Sequence, residues 1–278
     1  MKNFITRTIT GVLFVVVLVG CFLNPTAMVV LFALITGLTV WEYSGLVNEW
    51  DDIQVNRFIS TAAGVYLFLA MAGYCTGMTN GTVFIPYLIT LLYLIISELF
   101  TQAPNPINNW AYAMLSQTYI ALPLSTINVL AFQTGPTVEY NYILPLCVFV
   151  FLWINDTGAY CTGSLLGRHK LFPRVSPGKT WEGSIGGAVF VLAAAALVGV
   201  LTGDDMHTLS IPVWMGLGLV VVVFGTLGDL VESLFKRTLG IKDSGNILPG
   251  HGGMLDRFDS SLMAIPASVI YIYSLSLF

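Results

Sequence analysis

The stretch from Thr8 to Trp41 reads TITGVLFVVVLVGCFLNPTAMVVLFALITGLTVW and contains no Asp, Glu, Lys, Arg or His. One break interrupts it, at Asn24-Pro25, where a turn-forming residue precedes one that lacks a backbone N–H. A bilayer span takes about 20 mostly apolar residues, so this stretch holds one span and much of a second, folded back at the break. In hydrocarbon the backbone must satisfy its own hydrogen bonds, which favours helices for runs of this length. The pattern recurs: no ionic residue lies within 58–97, 99–138 or 183–203. The 278 residues are 56% hydrophobic and 9% charged, whereas soluble domains carry roughly 25% charge. Too few charges remain to solvate a globule of this size, which excludes a soluble fold. The expected fold is all-α, a polytopic transmembrane helical bundle.

The hydrophobic pattern predicts about nine spans, near 5–23, 26–47, 58–75, 82–100, 111–131, 140–158, 183–202, 211–233 and 260–278. The breaks carry turn chemistry at Asn24-Pro25, Asn80-Gly81, Pro104-Asn105-Pro106, Gly135-Pro136 and Gly203-Asp204-Asp205. Pro123, Pro145, Pro212 and Pro266 fall inside or at the ends of spans, where bundled helices tolerate them. The expected organisation is a single integral membrane domain over 1–278, with N-terminal spans in 1–154 and catalytic spans and cytoplasmic loops in 155–278. Lys2 and Arg7 ahead of Ile9–Leu23 have the pattern of a signal peptide, and Leu18-Val19-Gly20-Cys21 resembles a lipoprotein processing site. A first span with positive flanks has the same pattern and is the reading adopted. Cys21, Cys75, Cys147 and Cys161 are scattered without a CxxC pair, which argues against a disulfide scaffold and a zinc site.

With nine spans, one set of loops holds the N-terminus and the segments near 48–57, 101–110, 159–182 and 234–259. That set contains every Lys and Arg: Lys2, Arg7, Arg57, Arg168, Lys170, Arg174, Lys179, Lys236, Arg237, Lys242 and Arg257. The opposite loops hold Glu139, Asp204, Asp205 and His207. By the positive-inside rule the N-terminus is cytoplasmic and the C-terminus outside. A compact chain without a soluble extension points to a bacterial inner membrane. The formal charge of −4 says little about partners, and no nucleic-acid partner is expected.

Glu42, Glu98, Asp156 and Asp229 sit at the cytoplasmic ends of predicted spans, where a charge is costly and faces a partner or a watery cavity. Glu42 and Glu98 lack an accompanying motif, and snorkelling accounts for them as well as function does. Asp156 and Asp229 have neighbours that look functional. On a helix Asp229, Glu232, Ser233 and Lys236 share one face. Beyond it the chain continues through Arg237, Lys242-Asp243-Ser244-Gly245-Asn246, Pro249-Gly250-His251-Gly252-Gly253 and Asp256-Arg257-Phe258-Asp259. Glycines permit close backbone approach. Interleaved acids and bases suit Mg2+ bridged to phosphates, the acids holding the metal and the bases neutralising the remaining charge. An ordinary charged loop serving topology is the plainer alternative.

A second polar cluster precedes the seventh span. Arg168-His169-Lys170 and Arg174 lead into Ser176-Pro177-Gly178-Lys179-Thr180-Trp181-Glu182-Gly183. Hydroxyls, a lysine and helix-start amides form an anion site, although the glycine spacing is not that of a Walker A loop. A capped helix start with basic topology markers explains the same residues. Just upstream, Asn155-Asp156 ends the sixth span, so three segments deliver polar groups to one membrane face.

From Ser233 to Asp259 the chain reads SLFKRTLGIKDSGNILPGHGGMLDRFD, which resembles the signature of the phosphatidate cytidylyltransferases (CDP-diacylglycerol synthases) at every fixed position. Ser176–Gly183 resembles a second stretch of that family and Asn155-Asp156 a third; the motif-level resemblance spans roughly 155–260. It implies that CTP and phosphatidic acid react to give CDP-diacylglycerol and pyrophosphate for phospholipid synthesis. It also implies dependence on Mg2+, an all-helical membrane fold and a homodimer; a second cation is compatible with it. In the family the metal is held by the aspartates matching Asp229 and Asp256. Lys236, Arg237, Lys242 and Arg257 are then expected to neutralise substrate phosphates, and Asp243 and Asp259 to orient the metal or Arg257. Lys179, Ser176 and Thr180 are candidates for the triphosphate or the lipid phosphate. Asn155, Asp156, Glu182, Ser233, Gly252 and Gly253 complete the expected substrate contacts. His251 either donates to the leaving pyrophosphate or packs in the glycine loop.

Other classes predict different features. A transporter would place polar residues near the midplane and show an internal repeat, and neither is visible here. A CTP-dependent lipid kinase would deliver the γ-phosphoryl group instead. A CDP-alcohol phosphatidyltransferase would carry a different aspartate-rich helix, and a non-catalytic scaffold has no need of an intact signature.

Overall fold

A computed structural model describes residues 2–134, 138–203, 209–245, 247 and 252–275, the side chains of residues 2–8 and 133–134 excepted. Helices dominate: α1 Lys2–Phe22, α2 Pro25–Val47, α3 Arg57–Cys75, a 3-10 turn Gly81–Phe84, α4 Ile85–Ile96 and α5 Glu98–Thr101. There follow α6 Pro106–Leu115, a π-helical turn Ser116–Ala121, α7 Leu122–Ser125 and α8 Ile127–Ala131. The chain then runs through β1 Phe132–Thr134, β2 Val138–Tyr140, α9 Ile143–Leu166, β3 Lys170–Phe172, β4 Ser176–Thr180, α10 Trp181–Thr202, α11 Ile211–Thr238 and α12 Leu255–Leu275. Two short antiparallel hairpins, β1–β2 and β3–β4, depart from the all-α expectation.

Among the described residues seven helical segments are long and apolar enough to cross a membrane: α2, α3, Gly81–Thr101, α9, α10, α11 and α12. Nine expected spans are more than this. The expected first span is α1, whose described side chains form a shorter apolar helix, Ile9–Phe22. The expected fifth span is interrupted: the π-helical turn and Pro123 divide 106–131 into short pieces.

Local chemistry sets the helix starts. Asn24, Asn56 and Asn105 accept from the backbone N–H of Ala27, Ile59 and Asn108, and Thr180 from Gly183. Pro25 and Pro106 follow their caps in the first turn, where no intrahelical N–H is needed. Gly135-Pro136 and Asp204-Asp205 lie outside the described residues.

The chain forms two compact units, one of residues 1–144 with 239–258 and one of 145–238 with 259–278. In the first, fully buried Phe22, Phe32, Tyr43, Phe68 and Phe258 build the core; the Phe32 ring lies tilted 5.4 Å from Phe22 and edge-on 6.2 Å from Phe258. Glu98 accepts from the Asn109 amide at 2.9 Å, and Asn109 in turn accepts from the Gln54 backbone N–H. Glu98 is therefore tied into local structure rather than snorkelling. In the second unit Val191, Ala195, Leu217 and Val221 are fully buried. A Cβ on Gly218 would stand 3.1 Å from Val191 and 3.2 Å from Ala195, so α10 and α11 pack through small residues. All four cysteines are free thiols.

Candidate active site

In the second unit α9 meets α10 at glycines. A Cβ on Gly183 would lie 2.9 Å from the carbonyl oxygen of Ala159 and 3.3 Å from the Gly163 Cα. Beside this close approach the hairpin β3–β4 leaves a cavity of about 440 Å3, lined among others by Asn155, Asp156, Tyr160, Lys179, Thr180 and Ser184. Asn155 is buried, and its Oδ1 has no hydrogen-bond partner among the described residues. Thr180 is both cavity wall and N-cap of α10. Ser176 opens β4, half-buried.

Lys179 extends from the cavity wall to Asp229, with Nζ 2.6 Å from Oδ2. The Asp229 Oδ1 accepts from the Ser233 hydroxyl at 3.1 Å, and Lys236 pairs with fully buried Glu232 at 2.7 Å. The helical face expected from spacing therefore exists, and it uses Glu232, which the signature reading left without a role. The visible i,i+4 Lys236 was the signal for it. Asp259 lies in electrostatic range of Asp229, Asp156 and Lys236. At 28 residues α11 is about 42 Å long, beyond the roughly 30 Å hydrocarbon core, so its polar end has room to stand outside lipid. Arg237 is exposed.

Glu182 turns the other way. Its carboxylate accepts from the backbone N–H groups of Arg168 and His169, both at 3.1 Å, and pairs with His169 Nδ1. It anchors the connection between α9 and β3.

In the first unit the signature loop closes on Glu42. This carboxylate is 6% exposed. It accepts from the Ser244 hydroxyl and from the backbone N–H groups of Met254 at 2.8 Å and Leu255 at 3.0 Å. The two amides open α12, so Glu42 also places negative charge at a helix N-terminus. Asp256 Oδ2 accepts from the N–H of Ser244 and of Gly253, both at 2.9 Å, and the Asp256 N–H donates to the Ser244 hydroxyl. The glycines are required by this closeness. A Cβ on Gly253 would strike Glu42 and Ser244, one on Gly245 would stand 2.7 Å from Glu42, and Gly252 has φ +83° beside Asp256. Snorkelling does not describe Glu42; its signal was a lone acid in an otherwise uncharged span. Lys242, Asp243 and Arg257 are exposed. His251 lies outside the described residues. Asp229 belongs to the second unit and Asp256 to the first.

Comparison with known proteins decides the kinship. A profile of the cytidylyltransferase family matches residues 5–275. The chain belongs to the cytidylyltransferase family. A phosphatidate cytidylyltransferase of Staphylococcus aureus (strain COL) is 34% identical over 263 residues, covering 94% of this chain and 95% of the relative. Those of Staphylococcus haemolyticus and Staphylococcus epidermidis are 32% identical over the same shares. Within this cytidylyltransferase-family chain, the signature loop held by Glu42 and the Lys179–Asp229 pair are polar centres that contain expected site residues.

Proposed function

We propose that the chain transfers the cytidylyl group of CTP to phosphatidic acid, giving CDP-diacylglycerol and pyrophosphate for phospholipid synthesis. The observation that carries the reading is its near full-length kinship with phosphatidate cytidylyltransferases. A phosphate monoester oxygen, ionised at neutral pH, forms the new bond to the α-phosphorus of CTP. The bond from that phosphorus to the bridging oxygen breaks, and pyrophosphate departs with the electron pair. No strong base is needed; the barrier lies in bringing a dianion to a polyanion. Positioning and charge neutralisation therefore supply the catalysis.

In this reading Lys179, with Ser176 and Thr180, takes substrate phosphate at the cavity, and Asn155 and Asp156 contact substrate from its α9 wall. Lys236, Arg237, Lys242 and Arg257 offset phosphate charge, Ser233 steadies Asp229, and His251 with Gly252 and Gly253 shapes the loop. Asp243 and Asp259 act through the metal or Arg257, and Glu182 holds the hairpin.

Mg2+ is the proposed cofactor, with Asp229 and Asp256 as its ligands; bound, it supplies charge neutralisation at the transferred phosphate. The donor chemistry fits. Mg2+ is held by one or two carboxylates together with substrate phosphates rather than by an all-protein cage. Asp229 already accepts a cation, the Lys179 ammonium.

The proposed topology adds α1 and the broken segment 106–131 to the seven apolar helices, making nine spans, with the N-terminus and active site cytoplasmic and the C-terminus outside. Seven spans alone would put Arg57 opposite the other ten Lys and Arg residues; nine place all eleven on one face. A bacterial inner membrane, a homodimer and no nucleic-acid partner complete the proposal.

The test uses purified protein in micelles with phosphatidic acid, Mg2+ and CTP labelled separately at the α- and γ-phosphates. α-Label in lipid with γ-label released as pyrophosphate is expected. γ-Label in lipid would indicate a kinase instead, and no transfer by folded protein would sink the enzymatic reading.

A further inference from the structure

The connection 167–180 between α9 and α10 presents two chemistries. Lys179 and Thr180 line the cavity described above. Arg168, His169 and Lys170, with Trp181, Glu182 and Ile185 from the start of α10, line a separate open concavity of about 760 Å3. Both flanking helices are long and apolar enough to cross a membrane, so a connection this short is held at the membrane–water boundary.

The composition of that concavity is what such a boundary selects. Arg168, Lys170 and, in the adjoining turn, Arg174 are exposed and have no ion-pair partner among the described residues. The one acid present, Glu182, is committed to the backbone of Arg168 and His169 and to the His169 ring, which fixes the basic run in place. Around the cations the surface is apolar: Trp181 is 55% and Ile185 61% exposed, and Leu165, Leu166 and Phe172 are exposed as well. Tryptophan settles at headgroup level, guanidinium binds phosphate in a two-pronged manner, and basic groups at a bilayer surface attract anionic lipid.

We propose that this outer face of the hairpin is a binding site for the headgroups of anionic phospholipids, with the Arg168, Lys170 and Arg174 side chains on lipid phosphate and Trp181, Ile185 and Phe172 against the upper acyl region. The site is separate from the cavity that holds Lys179, and its occupation does not depend on the reaction proposed above. Positive charge serving only to orient the chain would require neither the apolar rim nor the Glu182 anchor.

The probe is phosphatidylglycerol brominated on its acyl chains, with brominated phosphatidylcholine as the neutral comparison, titrated into micelles of the full-length protein. Trp181 fluorescence is isolated by subtracting a Trp181→Phe variant. Phosphatidylglycerol should quench Trp181 at a much lower mole fraction than phosphatidylcholine. Removing charge should cost about fivefold in that preference per residue, about a hundredfold for R168Q/K170Q/R174Q together. The charge-keeping exchange R168K/K170R/R174K, which leaves orientation untouched, should retain most of the preference. Inorganic phosphate should lower the quenching no more than chloride at equal ionic strength, since the site takes lipid. Equal quenching by the two lipids, or an undiminished preference in the triple glutamine variant, would overturn the site. Because the readout is lipid binding, it stands whether or not cytidylyl transfer is observed, and the transfer assay is equally independent of it.

Discussion

Replacing Glu42 by Gln keeps the shape of the side chain and removes its charge. In the protein one oxygen accepts from Ser244 and Leu255 and the other from Met254. In the Glu42→Gln variant one of these oxygens becomes an NH2 that faces a donor. A hydrogen bond to a charged group contributes about 1.5–3 kcal/mol and a neutral one about 0.5–1.5, and a buried unsatisfied donor costs about 1–3. Weakening the retained bonds and orphaning at least one donor should cost about 4 kcal/mol, and relief from burying a carboxylate returns part of it. A net loss of about 3 kcal/mol remains. It should appear as local opening of the loop, because the apolar core around Phe32 and Phe258 is untouched. Hydrogen exchange at the Met254 and Leu255 amides should then accelerate by about a hundredfold, while exchange within α3 stays constant. Thr39→Val is the control: its hydroxyl donates only to Ile35 in the same helix. Unchanged protection at Met254 and Leu255 in Glu42→Gln would refute the view that Glu42 holds the signature loop.

Three further outcomes follow from the same geometry. Gly253→Ala should cost activity and loop protection together, because its methyl would strike Glu42 and Ser244, whereas Gly81→Ala, with nothing within 4 Å, should leave both unchanged; exchange and turnover measured on the pair decide this. Lys179→Ala should lower kcat/KM for cytidylyl transfer about a hundredfold by removing the positive charge between cavity and Asp229, and a loss under threefold would dismiss it from the phosphate site. Asp256→Asn should abolish turnover in protein that still inserts into the membrane, while Glu139→Gln, on the face expected to lack basic residues, should turn over normally; a large loss in Glu139→Gln would reverse the proposed topology.

Sequence alone determined what depends on near neighbours in the chain. Long runs without charge establish membrane helices, because burying ionic groups in lipid is costly wherever the run later packs. Asn24, Asn56, Asn105 and Thr180 act as caps through bonds three residues long, and the Asp229–Ser233 and Glu232–Lys236 pairs follow from one helical turn. Even there a limit showed. Residues 111–131 carry no charge over the length of a span, but a π-helical turn just ahead of Leu122-Pro123 divides them, and only Pro123 marks it locally. What only the tertiary structure decided is which distant groups meet. Glu42 closes on residues more than 200 positions away, Lys179 reaches Asp229 on α11 from strand β4, and Glu182 accepts from the backbone of Arg168 and His169. The physical reason is that apolar helix faces are nearly interchangeable as packing partners, so hydropathy leaves their neighbours undetermined. Packing is set by the fit of small residues such as Gly183 and Gly218, and packing rather than local sequence determines where a carboxylate such as Glu42 finds its donors.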